Sequence, residues 1–190
     1  MKKIIISMTV LSMVLALGCS EPVFAQQNTG PAALMLNQHS QWNFVEGAIP
    51  RSDLDIIVQA AVRAPSAANR QPWHFTVVQN QDLARRMFSQ NAVGNTVIVV
   101  SAEGDGRTNG PQILDCALAV QNMYLAAQAL GYGSRIYTGP MNAVNANFKT
   151  ELSLPAGHNA VALVRVGRVQ GDAVSGASAR KNASEVVTYK

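Results

Sequence analysis

The stretch QILDCALAVQNMYLAAQALGYG, residues 112–133, would place apolar side chains around nearly the whole circumference of a helix. A surface helix keeps one polar face, whereas a helix apolar all round is buried all round. A chain of 190 residues suits one domain with one core. A core of that size cannot wrap every side of so long a helix. The segment therefore predicts a central helix that stops at Gly131, with burial of its outer side against a second subunit. The hydrophobic fraction of 48% and charged fraction of 14% fit a folded chain rather than a disordered one.

Around this helix the pattern alternates. IPRSDLDIIVQAAVRAP reads as a helix with Leu54, Ile57, Val58, Ala61 and Val62 on one face, a capping box from Ser52 and Asp55, and a stop at Pro65. WHFTVV (73–78) and the continuous apolar run TVIVVS (96–101) read as strands, the second buried on both faces. DLARRMFSQ and NAVNANFKTEL predict helices, and SRIYTG and AVALVRVG predict strands. The polar tail ends in EVVTY, which predicts one more strand. Helices and strands in this order make an α/β or α+β domain.

The first residues predict an export signal. Lys2 and Lys3 precede the apolar run 4–17, which is too short for a stable membrane span. Two processing sites compete: cleavage after Ala25, following VFA, or cleavage after residue 18 at the lipoprotein-like box LALGCS, which leaves a lipidated Cys19. A buried N-terminal helix is the alternative, and the lysine–apolar–small order argues against it. With no paired arginines, export is expected in the unfolded state. The expected location is periplasmic, or lipid-anchored at the cell envelope. Residues 26–36 read as a mobile leader and residues 37–190 as the folded domain. Beyond Cys19 the only cysteine is Cys116, so no internal disulfide is available to the mature chain.

The formal charge of +4 is scattered, with no lysine or arginine run that would mark a nucleic-acid surface. His39, His74 and His158 share no metal-ligand spacing, and there is no CxxC, so no metal is expected. Cys116 sits among apolar residues and reads as an inert core thiol, while Ser134 has no nucleophile motif around it. Gly104, Gly106 and Gly110 follow a strand, but their spacing is one residue too long for a dinucleotide loop. They read as a surface loop, with nucleotide binding the weaker reading.

RAPSAANRQPWHF, residues 63–75, is far richer in hydrogen-bonding groups than a plain helix-to-strand connection requires. In the plain reading Trp73 is core, the prolines punctuate, and Asn69 and Gln71 satisfy local backbone. The longer stretch AAVRAPSAANRQPWHFTVV, however, resembles the A-P-S-x-x-N-x-Q-P-W signature of the FMN-dependent nitroreductase family. DCALAVQNMYLAAQALGYGSRIYTG is similar to the family's dimer helix and following strand. LPAGHNAVALVRVG resembles the next family segment, and ARKNASEVVTY the C-terminal arm.

That resemblance implies an α+β three-layer sandwich with a central mixed or antiparallel sheet, a swapped C-terminal arm, and a homodimer holding FMN at its interface. Pro65, Ser66 and Asn69 would line the flavin, with Asn69 on the pyrimidine edge and Gln71 nearby. An amide suits that edge because it both donates and accepts. Tyr137, Thr138 and Gly139 match the segment whose backbone approaches flavin N5, and Arg180 and Lys181 match the basic pair near the phosphate.

The N-terminal stretch departs from the family pattern. Gln38 and Trp42 stand where phosphate-gripping arginines are expected, leaving His39 and Ser40 as phosphate donors. Each charge-assisted bond contributes roughly 1.5–3 kcal/mol, so the loss weakens FMN binding by more than about tenfold. The implied activity is two-electron ping-pong transfer from a small donor to an electrophilic acceptor such as a nitroaromatic or a quinone. A non-catalytic flavin- or ligand-binding dimer is the alternative. Nicotinamide is scarce outside the cytoplasm, so for an exported enzyme a quinol or a redox protein is the expected donor.

Overall fold

The computed structural model describes residues 30–89, 91, 93–104, 111–170 and 179–190. The export signal, residues 26–29 of the leader, and Gly106 and Gly110 of the glycine loop lie outside the described residues. In chain order the elements are α1 (Pro31–Asn37), β1 (Phe44–Val45), α2 (Arg51–Val62), a 3-10 turn (Ala67–Asn69), β2 (Trp73–Val78), α3 (Gln81–Met87) and β3 (Thr96–Glu103). There follow α4 (Pro111–Ala129), β4 (Gly133–Tyr137), α5 (Met141–Asn147), β5 (His158–Val169) and α6 (Ala183–Val186).

Among the described residues five strands form one sheet in which every pairing is antiparallel. β5 is its axis: β1, β3 and β4 all pair with it, and β2 lies beyond β3. β3 is buried from Thr96 to Ala102, as its unbroken apolar run requires. Its side chains alternate between two cores. Ile98, Val100 and Ala102 join Leu54, Ile57 and Ala61 of α2 and Cys116, Ala119 and Met123 of α4. Val97 and Val99 turn the other way, toward Ala84 and Met87 of α3 and Met141 and Val144 of α5. Helices therefore cover both faces, giving the three-layer α+β arrangement. Among the described residues no helix is long and apolar enough to cross a membrane.

α4 ends as its sequence dictates. Gly131 takes φ +81, its N–H bonds Gln128 O at 3.0 Å, and the Tyr132 N–H bonds Ala127 O at 2.9 Å. This is the Schellman closure that favours glycine. Within the single chain only one side of α4 is covered. Cys116, Ala119, Val120, Met123 and Ala127 are buried, whereas Leu114 is 64% exposed and Leu118 37%.

Four expectations change. Part of the supposed mobile leader is α1, where Pro31 occupies the first turn and its missing N–H costs nothing. The Ser52–Asp55 capping box does not form. Pro50 is the N-cap, Ser52 Oγ donates to Asp53, and Arg51 takes Asp55 at 2.7 Å. EVVTY is not a strand: Asn182 and Glu185 make a capping box that starts α6, and residues 187–190 pair with nothing in this sheet. Finally, the helices expected over DLARRMFSQ and NAVNANFKTEL end early, at Met87 and Asn147.

Candidate functional site

The junction between α2 and β2 is folded under strain. Ala68, Asn69 and Gln71 have φ of 52, 54 and 48, so three residues with a Cβ adopt left-handed backbone within four positions. Each such placement costs roughly 1–2 kcal/mol, less for asparagine, and is kept only where surrounding bonds over-determine it. Here they do. The Gln71 N–H donates to Ser66 Oγ at 3.0 Å, the Asn69 N–H to Ser66 O at 3.0 Å, and Gln71 Nε2 to Asn69 Oδ1 at 3.2 Å. The Ala67 N–H donates to Asp115 Oδ1 of α4 at 3.0 Å. Ser66 is half-buried, while Pro65, Asn69 and Gln71 are exposed on the elbow's surface.

A second feature lies along α4. An apolar cavity of about 320 Å³ opens between this helix and the ends of β4 and β5, lined by Ile113, Cys116, Val120 and Gln121 with Ile136 and Thr138. Thr138 thus stands where a ligand face could lie, and Gly139 is exposed beside it with open space where a Cβ would be. Tyr137 points elsewhere: its ring tilts onto Phe88 with centroids 4.3 Å apart, in the core beneath α3 and α5. Burial, with a smaller contribution from the Asp115 charge, pushes the Cys116 thiol up to about 11. It lines the cavity as an un-ionised, weakly reactive group.

The segment 38–42 crosses the same region. Gln38, one of the two positions where arginine was expected, accepts from Gln121 Nε2 at 2.8 Å and so reaches the cavity wall. His39 is buried, its ring Nδ1 lies 3.4 Å from Asn37 O, and its backbone is bracketed by the Gln128 amide. Ser40 is half-buried beside it. Trp42, the second arginine position, lies against the Arg135 guanidinium. Burial pulls Arg135 and Arg165 below the usual arginine range, with the Tyr137 hydroxyl working the other way on Arg165. Arg165 bonds Asn95 Oδ1 at 3.1 Å and packs on Phe44.

The fold therefore gathers Pro65, Ser66, Asn69 and Gln71 into one elbow, and it draws Thr138 and the Gln38 segment to one cavity. α4 carries both features. Arg180 and Lys181 are exposed, in the segment that precedes α6. Among the described residues no group of three or more His, Cys, Asp or Glu could hold a metal ion. The sequence reading missed Asp115 and Gln121. A lone acid in an apolar helix was the available signal for Asp115, because such a carboxylate must meet a donor when buried.

Comparison with known proteins agrees with this architecture. A nitroreductase with bound FMN from Bacteroides fragilis superposes with a TM-score of 0.69 at 23% identity, covering 85% of this chain and all of that one. A nitroreductase with bound FMN from Desulfitobacterium hafniense gives 0.71 at 22% identity, covering 83% and 96%. A curated relative from Archaeoglobus fulgidus, provisionally named an NADH dehydrogenase/NAD(P)H nitroreductase, is 35% identical over 94 residues, which is 45% of this chain and 54% of that one. An enone reductase of CLA biosynthesis from Lactiplantibacillus plantarum is 39% identical over 72 residues, 37% of this chain and 33% of the other. The chain spans about half the length, 54% and 51%, of the first two curated relatives it matches. The sequence pattern described as the Nitroreductase family matches residues 36–109 and 94–168, more than half of the 190. With the strained elbow, the apolar helix and the antiparallel sheet all inside that match, the chain belongs to the Nitroreductase family.

Proposed function

We propose that the chain is an FMN-dependent oxidoreductase that passes two electrons from a small donor to a small electrophilic acceptor, the two visiting in turn. The observation that carries this reading is the left-handed elbow at Ala68, Asn69 and Gln71. A chain keeps strain of that kind where a binding surface needs it, and here it holds two amides outward. The residues present fit a flavin. The cavity along α4 is apolar, as a ring face requires, and Asn69 and Gln71 supply donors and acceptors for a pyrimidine edge. The two solved neighbours named above contain FMN.

When bound, FMN supplies the two-electron chemistry; the protein binds, orients and tunes. Asn69 would hold the pyrimidine edge, with Pro65, Ser66 and Gln71 beside it. The backbone of Thr138 and Gly139 would offer an N–H near N5, where a fixed dipole favours a reduced ring without being consumed. Ser40, His39, Arg180 and Lys181 are the candidates for the phosphate. His39 donates only through a buried ring, and Gln38 and Trp42 supply no charge, so the phosphate end is the weak end of the site.

A second copy would complete the site. The exposed stripe Leu114, Ala117 and Leu118 supports a homodimer sealed along α4, and the uncovered arm, with Val186 63% and Tyr189 93% exposed, supports an exchange of C-terminal tails. The names of the curated relatives favour NAD(P)H as the donor. The export signal read at residues 1–25 favours a quinol or redox protein at the cell envelope, with membrane attachment through Cys19 if that residue is lipidated. Nitroaromatics and quinones are the acceptor classes.

The weakened phosphate end favours one competing reading, a ligand-binding dimer that does not turn over. An absorbance spectrum during FMN titration separates the two. A yellow protein whose flavin band is bleached by a reductant and restored by an added quinone supports the enzyme. A protein that takes up FMN but never passes electrons on supports the binding dimer, and one that takes up none overturns the flavin reading.

A further inference from the structure

Asp115 lies in the first turns of α4, between Leu114 and Cys116, and is only 2% exposed. Its Oδ1 accepts the Ala67 N–H at 3.0 Å. Its Oδ2 is buried with no hydrogen-bond partner among the described residues, and Arg70 Nη2 stands 3.9 Å away. A carboxylate in such a place is costly, and a helix that needed only to pack would carry an alanine there. Both of the carboxylate's contacts run to the elbow. Ala67 immediately precedes Ala68, Asn69 and Gln71, the three left-handed residues, and Arg70 lies among them. The bonds from Ser66 close the elbow on itself. Asp115 ties it to the helix that also lines the cavity through Ile113, Cys116 and Gln121.

We infer that Asp115 is the positioning residue of the site. Through the Ala67 N–H and the charge of Arg70 it fixes the left-handed elbow to α4, and so sets where the amides of Asn69 and Gln71 stand relative to the cavity. The ligand named in the test rests on the flavin reading above; the hold on the elbow does not.

The test uses the full chain with Asp115→Ala, Asp115→Asn and the double change Asp115→Ala with Ala68→Gly. Two quantities are read: the backbone carbon-13 shifts of Ala68, Asn69 and Gln71 in protein free of flavin, and the Kd for FMN. Asp115→Ala is expected to move those shifts away from left-handed values and to weaken FMN at least tenfold, with shifts in β3 and β5 unmoved. Asp115→Asn, which keeps an acceptor but no charge, falls between. Ala68→Gly restores part of the affinity, because glycine accepts the left-handed form without the tie. Loss of stability with the elbow shifts unmoved would mark Asp115 as merely structural and overturn the inference; so would unchanged FMN affinity beside moved shifts. If Asp115→Ala does not fold, the Asp115→Asn shifts decide. If the unaltered protein takes up no FMN, the flavin reading falls, and the shifts alone decide the role of Asp115.

Discussion

In the proposed site, Asn69 joins strain to recognition at one residue. It tolerates φ 54 better than most residues because its short amide bonds locally, and the same amide faces outward. Asn69→Ala should therefore do two things: lower stability by about 1 kcal/mol through backbone strain, and weaken FMN roughly tenfold by removing a donor–acceptor pair. A urea melt and a flavin titration separate the two effects. Cys116 makes the opposite kind of prediction. Its thiol is raised from an ordinary 9.0 to about 11, so the folded state keeps a proton that the unfolded chain releases. Its stabilising contribution is whole below pH 9 and is lost as pH rises toward 11. Cys116→Ala should flatten stability across that window, and thiol reagents at pH 8 should modify the native protein far more slowly than the denatured one.

At the level of the element, two helix ends are set by particular residues. Gly131 closes α4 at φ +81 with open space around it, so Gly131→Ala would meet no clash and only a backbone penalty of about 1 kcal/mol. Asn80 caps α3 by accepting from the Asp82 and Leu83 N–H groups, and Asn80→Ala should cost about 1 kcal/mol. Thermal melts of both variants check these values. Much of this was legible in the sequence. TVIVVS gave its strand because an unbroken apolar run fits a doubly covered strand, and Gly131 gave the stop. The α6 signal was also present, in Asn182 followed three residues later by Glu185, but the β-formers after it suggested a strand. A strand needs a partner edge, and residues 187–190 pair with none in this sheet. The Ser52–Asp55 pattern misled because Arg51 competes for the same carboxylate. At the site, the elbow's residues were legible as a motif. The tie to Asp115 was not, because it spans 48 positions and depends on how α4 is rotated in the core.

For the whole molecule, the proposed assembly turns on the uncovered side of α4. Leu114→Glu with Leu118→Glu adds two charges to the apolar stripe. If two chains meet there, sedimentation should shift from dimer to monomer and FMN uptake should fall, while the far-ultraviolet circular dichroism stays the same. Unchanged sedimentation would place any subunit contact elsewhere. β5 has a further consequence through its position in the chain. Of the described strands it is the last made, yet β1, β3 and β4 all pair with it. A chain still emerging from the ribosome cannot close this domain until residues 158–169 have been released. Sequence-distant pairing of this kind also slows folding. The nascent polypeptide thus stays threadable for most of its synthesis, and a truncation lacking residues 158–190 should remain protease-sensitive along its whole length.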